Sequence, residues 1–405
     1  MSWRVGVNLL WLVPGVVGGS EDATVRYLRA LGQGHDDPEI TLFVLPSFAA
    51  AHPDLAEMFP LAIAPVDGSS KPKRVAAEST WLPGAARSAG VSLVHHAGGV
   101  VPPLSKGPST LTVHDLQPLD LPGNFGALKR AYLRASLRPS VRRAQLVVVP
   151  GEFTRGRVVE RLGADPDHVV VVPWSVDPPA EEPDDSRSDD GPAAPWWPVP
   201  EGDRFVLYPA ITYPHKNHAV LVDAFARLGD PHLHLVLPGG IGAAEGLVAD
   251  RIRRHGLGDR VHRLGRIPRD HLDQLYRRAT LVAVPSRYEG FGLPALEAMA
   301  HGRAVIAAGN TALGEVVVEG TPLLDPDDVA GWAEAIRSLA DDPARRAACE
   351  ASGRVHAASF SSERTASAMV GAWRRAIGRT EPTLTRHDPL ETSPDQRPTE
   401  GPPTP

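Results

Sequence analysis

The sequence predicts an α/β protein with two doubly wound, parallel-sheet domains. Short apolar runs alternate with longer amphipathic runs through both halves of the chain, which indicates βαβ units. The apolar runs are continuous, as expected of parallel strands covered by helices on both faces. A length of 405 residues exceeds what one hydrophobic core usually contains and suits two.

Residues 1–177 are predicted to form the first domain. Its predicted strands are Arg4–Leu10, Thr41–Leu45, Leu93–His95, Thr110–Val113 and Leu146–Val149, and its predicted helices include Asp22–Leu31 and Ala127–Ala144. The apolar start of the chain is too short to span a bilayer and lacks a basic leader. We therefore interpret it as the first buried strand and not as a signal peptide.

Residues 203–361 repeat this layout as a second domain, followed by a predicted helix over 362–379. The predicted strands are Phe205–Tyr208, Leu233–Leu237, Val261–Leu264, Leu281–Pro285 and Ala304–Ala307. The predicted helices include His218–Leu228, Gly246–His255, Arg269–Ala279, Leu296–His301 and Val329–Ala340.

Two segments lack apolar periodicity. Residues 178–202 are rich in proline and paired acids and are predicted to be a linker, although Trp196 and Trp197 at its end are expected to dock on a domain. Residues 380–405 are rich in Pro, Thr, Glu and Asp and are predicted to be a disordered tail.

The net charge and the cysteine content limit the kinds of function and the compartment that we expect. A net charge of -6 argues against a general nucleic-acid binder. The single cysteine, Cys349, excludes an internal disulfide and fits a reducing cytoplasm, where we expect the protein to act.

The segment Ser286–Glu297 contains the strongest candidate for a ligand-binding site. It reads as the end of a strand, a glycine loop and a helix start, with Glu289 in the loop and Glu297 in the first helical turn. The free N–H groups at a helix start bind anions, and two flanking carboxylates suit a hydroxyl-rich ligand. A helix whose early glutamate complements the macrodipole would explain Glu297 alone.

The spacing Glu-x7-Glu, headed by Glu-Gly-Phe-Gly-Leu-Pro, resembles the signature of retaining glycosyltransferases of family 4. These enzymes have the GT-B fold, and the resemblance therefore implies two Rossmann-like domains that face each other across a cleft. The resemblance implies that Glu289 faces the donor sugar and that Glu297 grips the ribose hydroxyls. It also implies that the backbone of Phe291, Gly292 and Leu293 holds the donor diphosphate, and that the last helix crosses back to the first domain.

Other segments match the same resemblance on both sides of the cleft. Gly18 and Gly19 follow the first strand, where the family's loop faces the diphosphate, although an ordinary strand-to-helix turn has the same composition. His114 ends another strand, where the family places a histidine near the donor sugar, although a lone histidine is often only a structural hydrogen-bonding group.

The segment Pro214–His218 resembles a family segment whose lysine contacts the donor phosphates, which gives that role to Lys216. The arginine that many members carry shortly before this lysine is missing. Either another cation supplies this charge, with Arg287 and Arg266 as the candidates, or one cation suffices. Ile267 lies in a loop that contacts the base in the family through backbone atoms.

No metal or other cofactor is expected, because the nucleotide sugar is a substrate and the charges needed by a diphosphate are supplied by the protein. Asp165-Pro166-Asp167 and Asp325-Pro326-Asp327 match a metal motif of another fold but read better as turns. The histidines of 215–218 and 232–234 lack partners at zinc-site spacing.

The run 127–144 is basic on one predicted face, with arginines at 130, 134, 138 and 142, and Pro139 is expected to kink or divide it. Leu128, Tyr132, Leu133 and Leu137 are expected to face the core. The basic face is either simply solvated or a contact for anionic membrane at the inner membrane face, or for a lipid-linked acceptor.

The predicted activity is transfer of a sugar, with mannose from GDP-mannose as the first donor to test, to the hydroxyl of a carbohydrate, lipid-linked or small-molecule acceptor. The acceptor would enter from the first domain, through loops such as 65–83. The alternatives are a GT-B-type nucleotide-sugar epimerase, which needs no acceptor, and a homologue that binds nucleotide without turnover.

Overall fold

The computed structural model describes residues 3–16, 18–34, 38–177 and 196–378. The predicted linker lies mostly outside the described residues, and the predicted tail lies wholly outside them. The described part contains two parallel sheets, one in each half of the chain.

The first sheet has seven parallel strands. They are β1 (Arg4–Asn8), β2 (Glu39–Val44), β3 (Leu61–Ile63), β4 (Leu93–His96), β5 (Ser109–Thr112), β6 (Leu146–Val149) and β7 (Val169–Val171). Their order, β3-β2-β1-β4-β5-β6-β7, reverses direction between β1 and β4, as in Rossmann folds.

The helices of this half begin with α1 directly after the glycine loop. They are α1 (Gly19–Gly34), α2 (Pro46–Ala51), α3 (Pro53–Met58), α4 (Lys71–Thr80), α5 (Leu82–Ser88), α6 (Gln117–Asp120), α7 (Ala127–Arg143) and α8 (Glu152–Leu162).

The second sheet has six parallel strands. They are β8 (Arg204–Leu207), β9 (Leu233–Pro238), β10 (Val261–Gly265), β11 (Leu281–Val284), β12 (Ala304–Ala308) and β13 (Leu323–Leu324). Their order, β10-β9-β8-β11-β12-β13, reverses between β8 and β11. Both sheets therefore have the predicted doubly wound topology.

The helices of the second half cover both faces of this sheet or follow it. They are α9 (His218–Leu228), α10 (Glu245–Arg254), α11 (Arg269–Arg278), α12 (Leu293–Ala300), α13 (Leu313–Val316), α14 (Val329–Asp341), α15 (Pro343–Ala357) and α16 (Ser362–Ala376).

The last helix belongs to the core of the first half. α16 packs against α1, and its Met369, Val370 and Trp373 are buried in one cluster with Trp3 and Leu28. The expectation that this helix returns to the first domain agrees with this packing.

The paired tryptophans that precede the second sheet dock on it, as expected. The ring of Trp196 stacks on His271, with ring centroids 3.9 Å apart, and the ring of Trp197 packs edge-on against Phe205. The guanidinium of Arg278 lies over the Trp197 ring, 4.9 Å from its centroid.

Three strands were not predicted: β3, β7 and β13. Each lies at the edge of its sheet and is only two or three residues long. β3 and β13 offer only three and two apolar residues, whereas β7 belongs to a run of four valines at 169–172 that does carry a strand pattern.

Two helix predictions were wrong in detail. α12 begins at Leu293 instead of Leu296, so Glu297 lies in its second turn and not its first. Pro139 does not divide α7, which continues to Arg143.

The expected core-facing side of α7 was also partly wrong. Leu137 is buried, but the side chain of Leu128 is 86 % exposed because it lies in the first turn, beyond the edge of the core. No helix in the described ranges is long and apolar enough to cross a membrane.

Candidate active site

The predicted site residues converge where the strand order reverses in both sheets. A Cβ atom at Gly19, at the start of α1, would lie 3.1 Å from Cδ1 of Leu293 at the start of α12. A Cβ atom at Gly290 would lie only 2.4 Å from the carbonyl oxygen of His114. The loops of the two domains therefore touch, and only glycine fits at position 290. In open α/β sheets such reversal points are where ligands bind.

Lys216 and Glu289 form the central ion pair of this cleft. The Lys216 Nζ atom lies 2.6 Å from Oε1 of Glu289, and both side chains are largely buried. The hydroxyl of Ser286 donates a second hydrogen bond, of 2.7 Å, to the same carboxylate oxygen. A buried carboxylate needs such partners, since desolvation of an unpaired charge is costly.

The backbone around Lys216 is fixed by its neighbours. Asn217 adopts the left-handed conformation, with φ of 55°, and its side-chain amide donates to the carbonyl oxygens of Pro285 and Pro326. The hydroxyl of the buried Tyr208 donates to the Lys216 carbonyl oxygen at 2.9 Å. These bonds join the loop after β8 to the loop after β11, so the ammonium stays beside Glu289.

The start of α12 supplies backbone amides to the same region. Gly292 has φ of 116°, and a Cβ atom there would lie 2.7 Å from Leu313. The first amides of a helix have no intrahelical partner and attract anions. The predicted amides of Phe291, Gly292 and Leu293 thus lie where a phosphate could approach, and the Phe291 ring is buried against Trp174.

His114 lies on the first-domain side of the cleft. Its Nε2 lies 2.7 Å from the carbonyl oxygen of Ala97 and donates to it, so Nδ1 carries a lone pair. This Nδ1 is buried without a partner among the described residues, and the ring lies between Trp11 and Trp174. Burial lowers the pKa of His114 to about 4, so the ring is a neutral hydrogen-bond acceptor near pH 7.

Glu297 is occupied by two guanidinium groups. Its Oε1 lies 2.8 Å from a nitrogen of Arg26 in α1 and 2.8 Å from a nitrogen of Arg269 in α11. Tyr276 donates a hydrogen bond to Oε2. Glu297 is buried, which opposes ionisation, but the two arginines outweigh burial and lower the pKa of its carboxyl.

The two arginines considered as substitute cations make other contacts. Arg287 pairs with Asp327, and the Arg266 guanidinium donates to the carbonyl oxygen of Gly15 in the glycine loop. Ile267, after β10, is half-buried against the core of the second domain. Gly18 has φ of 79° and immediately precedes α1.

Sequence reasoning missed Arg26, Arg269 and Trp11. Arg26 lies one helical turn after Asp22 in α1, a spacing that places both on one helix face. No local pattern indicates that this face meets Glu297, because the contact joins the two halves of the chain. Within the described residues, no cluster of three or more His, Cys, Asp or Glu side chains is arranged to hold a metal ion.

Comparison with known proteins supports the same interpretation of both halves. Residues 17–179 match the model of Glycosyltransferase Family 4, and residues 195–356 match that of Glycosyl transferases group 1. Two relatives are named D-inositol 3-phosphate glycosyltransferase. The one from Kineococcus radiotolerans is 36% identical over 261 residues, which cover 58% of this chain and 58% of that protein.

The second relative, from Mycobacterium bovis, is 36% identical over 249 residues, which cover 58% of this chain and 49% of that protein. The match thus spans about half the length of these curated relatives.

Solved structures share the fold over nearly the whole chain. Sucrose-phosphate synthase from Thermosynechococcus elongatus aligns with a TM-score of 0.76 and 22% identity, covering 93% of this chain and 100% of that one. Anabaena HepE, in complex with UDP and glucose, aligns with a TM-score of 0.71 and 19% identity, covering 92% of this chain and 100% of that one. At this identity the likeness demonstrates the two-domain fold.

Proposed function

Because this chain belongs to glycosyltransferase family 4 of the GT-B fold, we propose that it transfers a hexose from a nucleotide diphosphate donor to an acceptor hydroxyl with retention of anomeric configuration. The observation that carries the proposal is the buried pair of Lys216 and Glu289 beside the start of α12. A cation, free amides and a carboxylate at one point suit a sugar joined to a diphosphate.

The leaving diphosphate is stabilised by charge and dipoles that are already in place. The ammonium of Lys216 has three donors, so it can hold Glu289 and a phosphate oxygen together. The amides of Phe291, Gly292 and Leu293 and those of Gly18 and Gly19 approach from opposite domains. These groups stabilise the negative charge that develops on the diphosphate as the bond breaks, and they need not reorient to do so.

The sugar lies between the two domains in this proposal. Glu289 accepts hydrogen bonds from its hydroxyls and stabilises positive charge that develops at the anomeric carbon. The free Nδ1 of His114 accepts a hydrogen bond from another sugar hydroxyl. The contacts between the domain loops exclude water, which would otherwise compete with the acceptor.

The bond changes balance without a protein base. The bond between the anomeric carbon and the diphosphate oxygen breaks, and a bond to the acceptor oxygen forms on the same face. The proton of the acceptor hydroxyl passes to the departing diphosphate. In this proposal Glu297 also binds the ribose hydroxyls. To do so it either accepts hydrogen bonds from ribose and Arg26 at the same time or releases Arg26.

Two nucleotide sugars are the first candidate donors. GDP-mannose is the prediction made from the sequence, and UDP-glucose is its main competitor, because Anabaena HepE of the same fold holds UDP and glucose. A panel of GDP-, UDP- and ADP-sugars, with mass analysis of the products, decides between them. An anomeric proton coupling in the product distinguishes retention from inversion.

The same panel separates the proposed function from its alternatives. An epimerase would release an altered nucleotide sugar with no acceptor present, and a binding homologue would bind nucleotide but release no product. Either result, with every acceptor tested, would replace the proposal.

Contact with anionic membrane is a separate proposal for α7. Arg134 and Arg138 line a cavity of about 370 Å³ together with Leu133, Leu137 and Leu162, so cations lie beside apolar side chains. Sedimentation with phosphatidylglycerol vesicles tests it. We expect the double variant R134E/R138E to bind less, and equal binding would rule the contact out.

A further inference from the structure

Tyr288, the residue immediately before Glu289, reaches from the second domain into the first. Its side chain is buried, and its hydroxyl donates a hydrogen bond of 3.0 Å to Oδ2 of Asp120, the last residue of α6. The same hydroxyl accepts a hydrogen bond of 3.3 Å from the Leu116 amide. The hydroxyl therefore has both a donor and an acceptor partner, and both belong to the first domain.

Asp120 is itself held in place by two arginines of α8. The Nε atom of Arg157 lies 3.0 Å from Oδ2 of Asp120, and that of Arg161 lies 3.0 Å from Oδ1. Burial opposes ionisation of this carboxyl, but the hydrogen bonds from Arg157 and Tyr288 outweigh burial and lower its pKa. Asp120 is therefore charged at neutral pH. The hydrogen bond from Tyr288 is thus charge-assisted, and such bonds are about twice as strong as neutral ones.

The Tyr288 ring packs at the start of α8. It lies edge-on against Phe153, with ring centroids 5.7 Å apart. Glu315 of the second domain accepts a hydrogen bond of 2.6 Å from the Phe153 amide. Because α8 follows Gly151, which has no side chain to cap the helix, a carboxylate of the other domain satisfies one of its first amides. The start of α8 is therefore tied to the second domain independently of Tyr288.

Gly290, on the other side of Glu289, is anchored to the same helix. The hydroxyl of the buried Thr154 donates a hydrogen bond of 3.0 Å to the Gly290 carbonyl oxygen. The residues before and after Glu289 are thus both bonded to the first domain, whereas the Glu289 carboxylate is bonded to Lys216 and Ser286 of the second. A shift of this loop would move the carboxylate relative to the first-domain side of the cleft.

We propose that Tyr288 is a positioning residue, which sets the place of the Glu289 carboxylate relative to the first domain. Its hydroxyl holds the loop 286–292 against Asp120, so that Glu289 faces the anomeric carbon while the acceptor approaches from the first domain. A displacement of about 1 Å in such a group can lower the rate about a hundredfold. The consequence for transfer rests on the proposed function, whereas the anchoring of the loop does not depend on it.

The first arm of the experiment measures the anchoring without any substrate. The variant Y288F removes only the hydroxyl. The matched control is Y27F, because Tyr27 is 5 % exposed against 6 % for Tyr288, but its hydroxyl has no partner among the residues that the structure describes. Hydrogen exchange of the full chain is followed by mass spectrometry. We expect Y288F to speed exchange at least about fivefold over 286–292 and over the first turn of α8, and Y27F to leave both unchanged.

The kinetic arm separates positioning from a general loss of stability. With donor and acceptor saturating, Y288F should lower kcat at least about tenfold, because Glu289 is displaced, and Y27F should leave kcat unchanged. The affinity for GDP or UDP, measured by calorimetry, should change less than about twofold, since Lys216 and the start of α12 keep their places.

A second kinetic readout is the ratio of donor hydrolysis to transfer. This ratio should rise at least about fivefold in Y288F, because a displaced loop admits water to the cleft. A protein that is merely destabilised would lose transfer and hydrolysis in equal proportion, and that result would contradict a positioning role. The variant T154V removes the other anchor of the loop and should give the same pattern, with kcat lowered and nucleotide affinity kept.

A double-mutant cycle tests whether Tyr288 acts through Asp120. In a D120A background the acceptor of the Tyr288 hydroxyl is already gone, so Y288F should lower kcat by less than about a further twofold. If the full loss of kcat persisted in that background, the role of Asp120 would be wrong.

Two further results would overturn the inference. One is equal exchange over 286–292 in the native protein, Y288F and Y27F, and the other is an unchanged kcat in Y288F. Failure of the proposed function gives a different pattern. The native protein would then yield no product with any donor, while the difference in exchange between Y288F and Y27F would remain.

Discussion

Arg26 of the first domain and Glu297 of the second form a buried ion pair that joins the two sides of the cleft, with 2.8 Å between the guanidinium nitrogen and Oε1. Arg26 also donates to the carbonyl oxygen of Ser175, near the end of the first half of the chain. The glutamate expected to hold ribose thus serves as an interdomain contact. Under the proposed function, nucleotide binding and domain contact are coupled through this one carboxylate.

Replacing Arg26 should destabilise the protein strongly. In R26M the Glu297 carboxylate keeps Arg269 but loses one of its two charged partners while remaining buried. We expect the free energy of unfolding to fall by about 3 kcal/mol in urea denaturation. The control is R29M on the same helix, because the pair of Arg29 and Asp54 is largely exposed and should contribute less than about 1 kcal/mol. A loss in R26M no larger than in R29M would contradict the structural importance of the pair.

Lys216 should be essential for turnover. In K216M the leaving diphosphate loses its charge partner, and we expect kcat to fall by at least about a hundredfold. The measurement is steady-state transfer with the donor identified by the panel. Glu289→Gln should also reduce kcat, since it removes the charge facing the anomeric carbon. Retention of full activity in either variant would show that its role is misassigned.

A double-mutant cycle on Lys216 and Glu289 measures how much their interaction contributes to stability. K216M leaves the Glu289 carboxylate with only the Ser286 hydroxyl as a partner, so it should be less stable than the native protein. The double variant K216M/E289Q removes the isolated charge and should recover part of that loss. Additive losses in the double variant would mean that the two side chains do not interact.

Gly290 should tolerate no side chain. In G290A the new methyl group would collide with the His114 carbonyl oxygen and the Asp115 side chain, so the domains must separate. We expect transfer to drop steeply and the radius of gyration in small-angle scattering to increase. Gly156, in the middle of α8, is the control, since nothing lies within 4 Å of a Cβ atom there. G156A should be neutral or gain up to about 1 kcal/mol of stability.

Acid should destabilise the protein through buried histidines. Burial lowers the pKa of His95 and of His96 to about 3, well below that of an unfolded chain. The unfolded state therefore binds more protons between about pH 6.5 and pH 3, and stability falls as pH falls. The buried Glu78, with its pKa raised to about 7, acts in the opposite direction between about pH 7 and 4.5.

The variant H96Q measures the contribution of His96 alone to the pH dependence of stability. It should reduce the slope of unfolding free energy against pH by about 1.4 kcal/mol per pH unit between pH 6 and 4, relative to the native protein. Because the Asn8 amide contacts both His96 and Glu78, the same comparison is repeated in an E78Q background, which removes the contribution of Glu78. An unchanged slope would mean that His96 is protonated or exposed in the folded state.

The fold and the donor loop were predictable because their signals are local. Parallel strands buried on both faces need continuous apolar runs, and the loop before α12 needs glycine where φ is positive. The edge strands β3 and β13 escaped prediction because each has only two or three apolar residues, whereas β7 was missed although four valines at 169–172 mark it. The start of α12 was misplaced by three residues, since Leu293 and Pro294 already belong to the helix.

The contacts between the domains could not be predicted from the sequence. Arg26 and Glu297 lie 271 positions apart, and neither residue type indicates the other. The cavity that is lined by His114, Lys71 and Lys129 could not be predicted either, because the two lysines come from separate helices, α4 and α7. Only the fold brings these charges together, although residues 65–83 were expected to include acceptor contacts.

The packing of α16 on α1 also sets an order of events during synthesis. All seven strands of the first sheet are made before the second domain, yet Trp373 and Met369, which complete the first core, are made after it. Until α16 has been made, the first domain therefore lacks the helix that covers this part of its core. We expect the two domains to complete folding together in one late step, after α16 has been made.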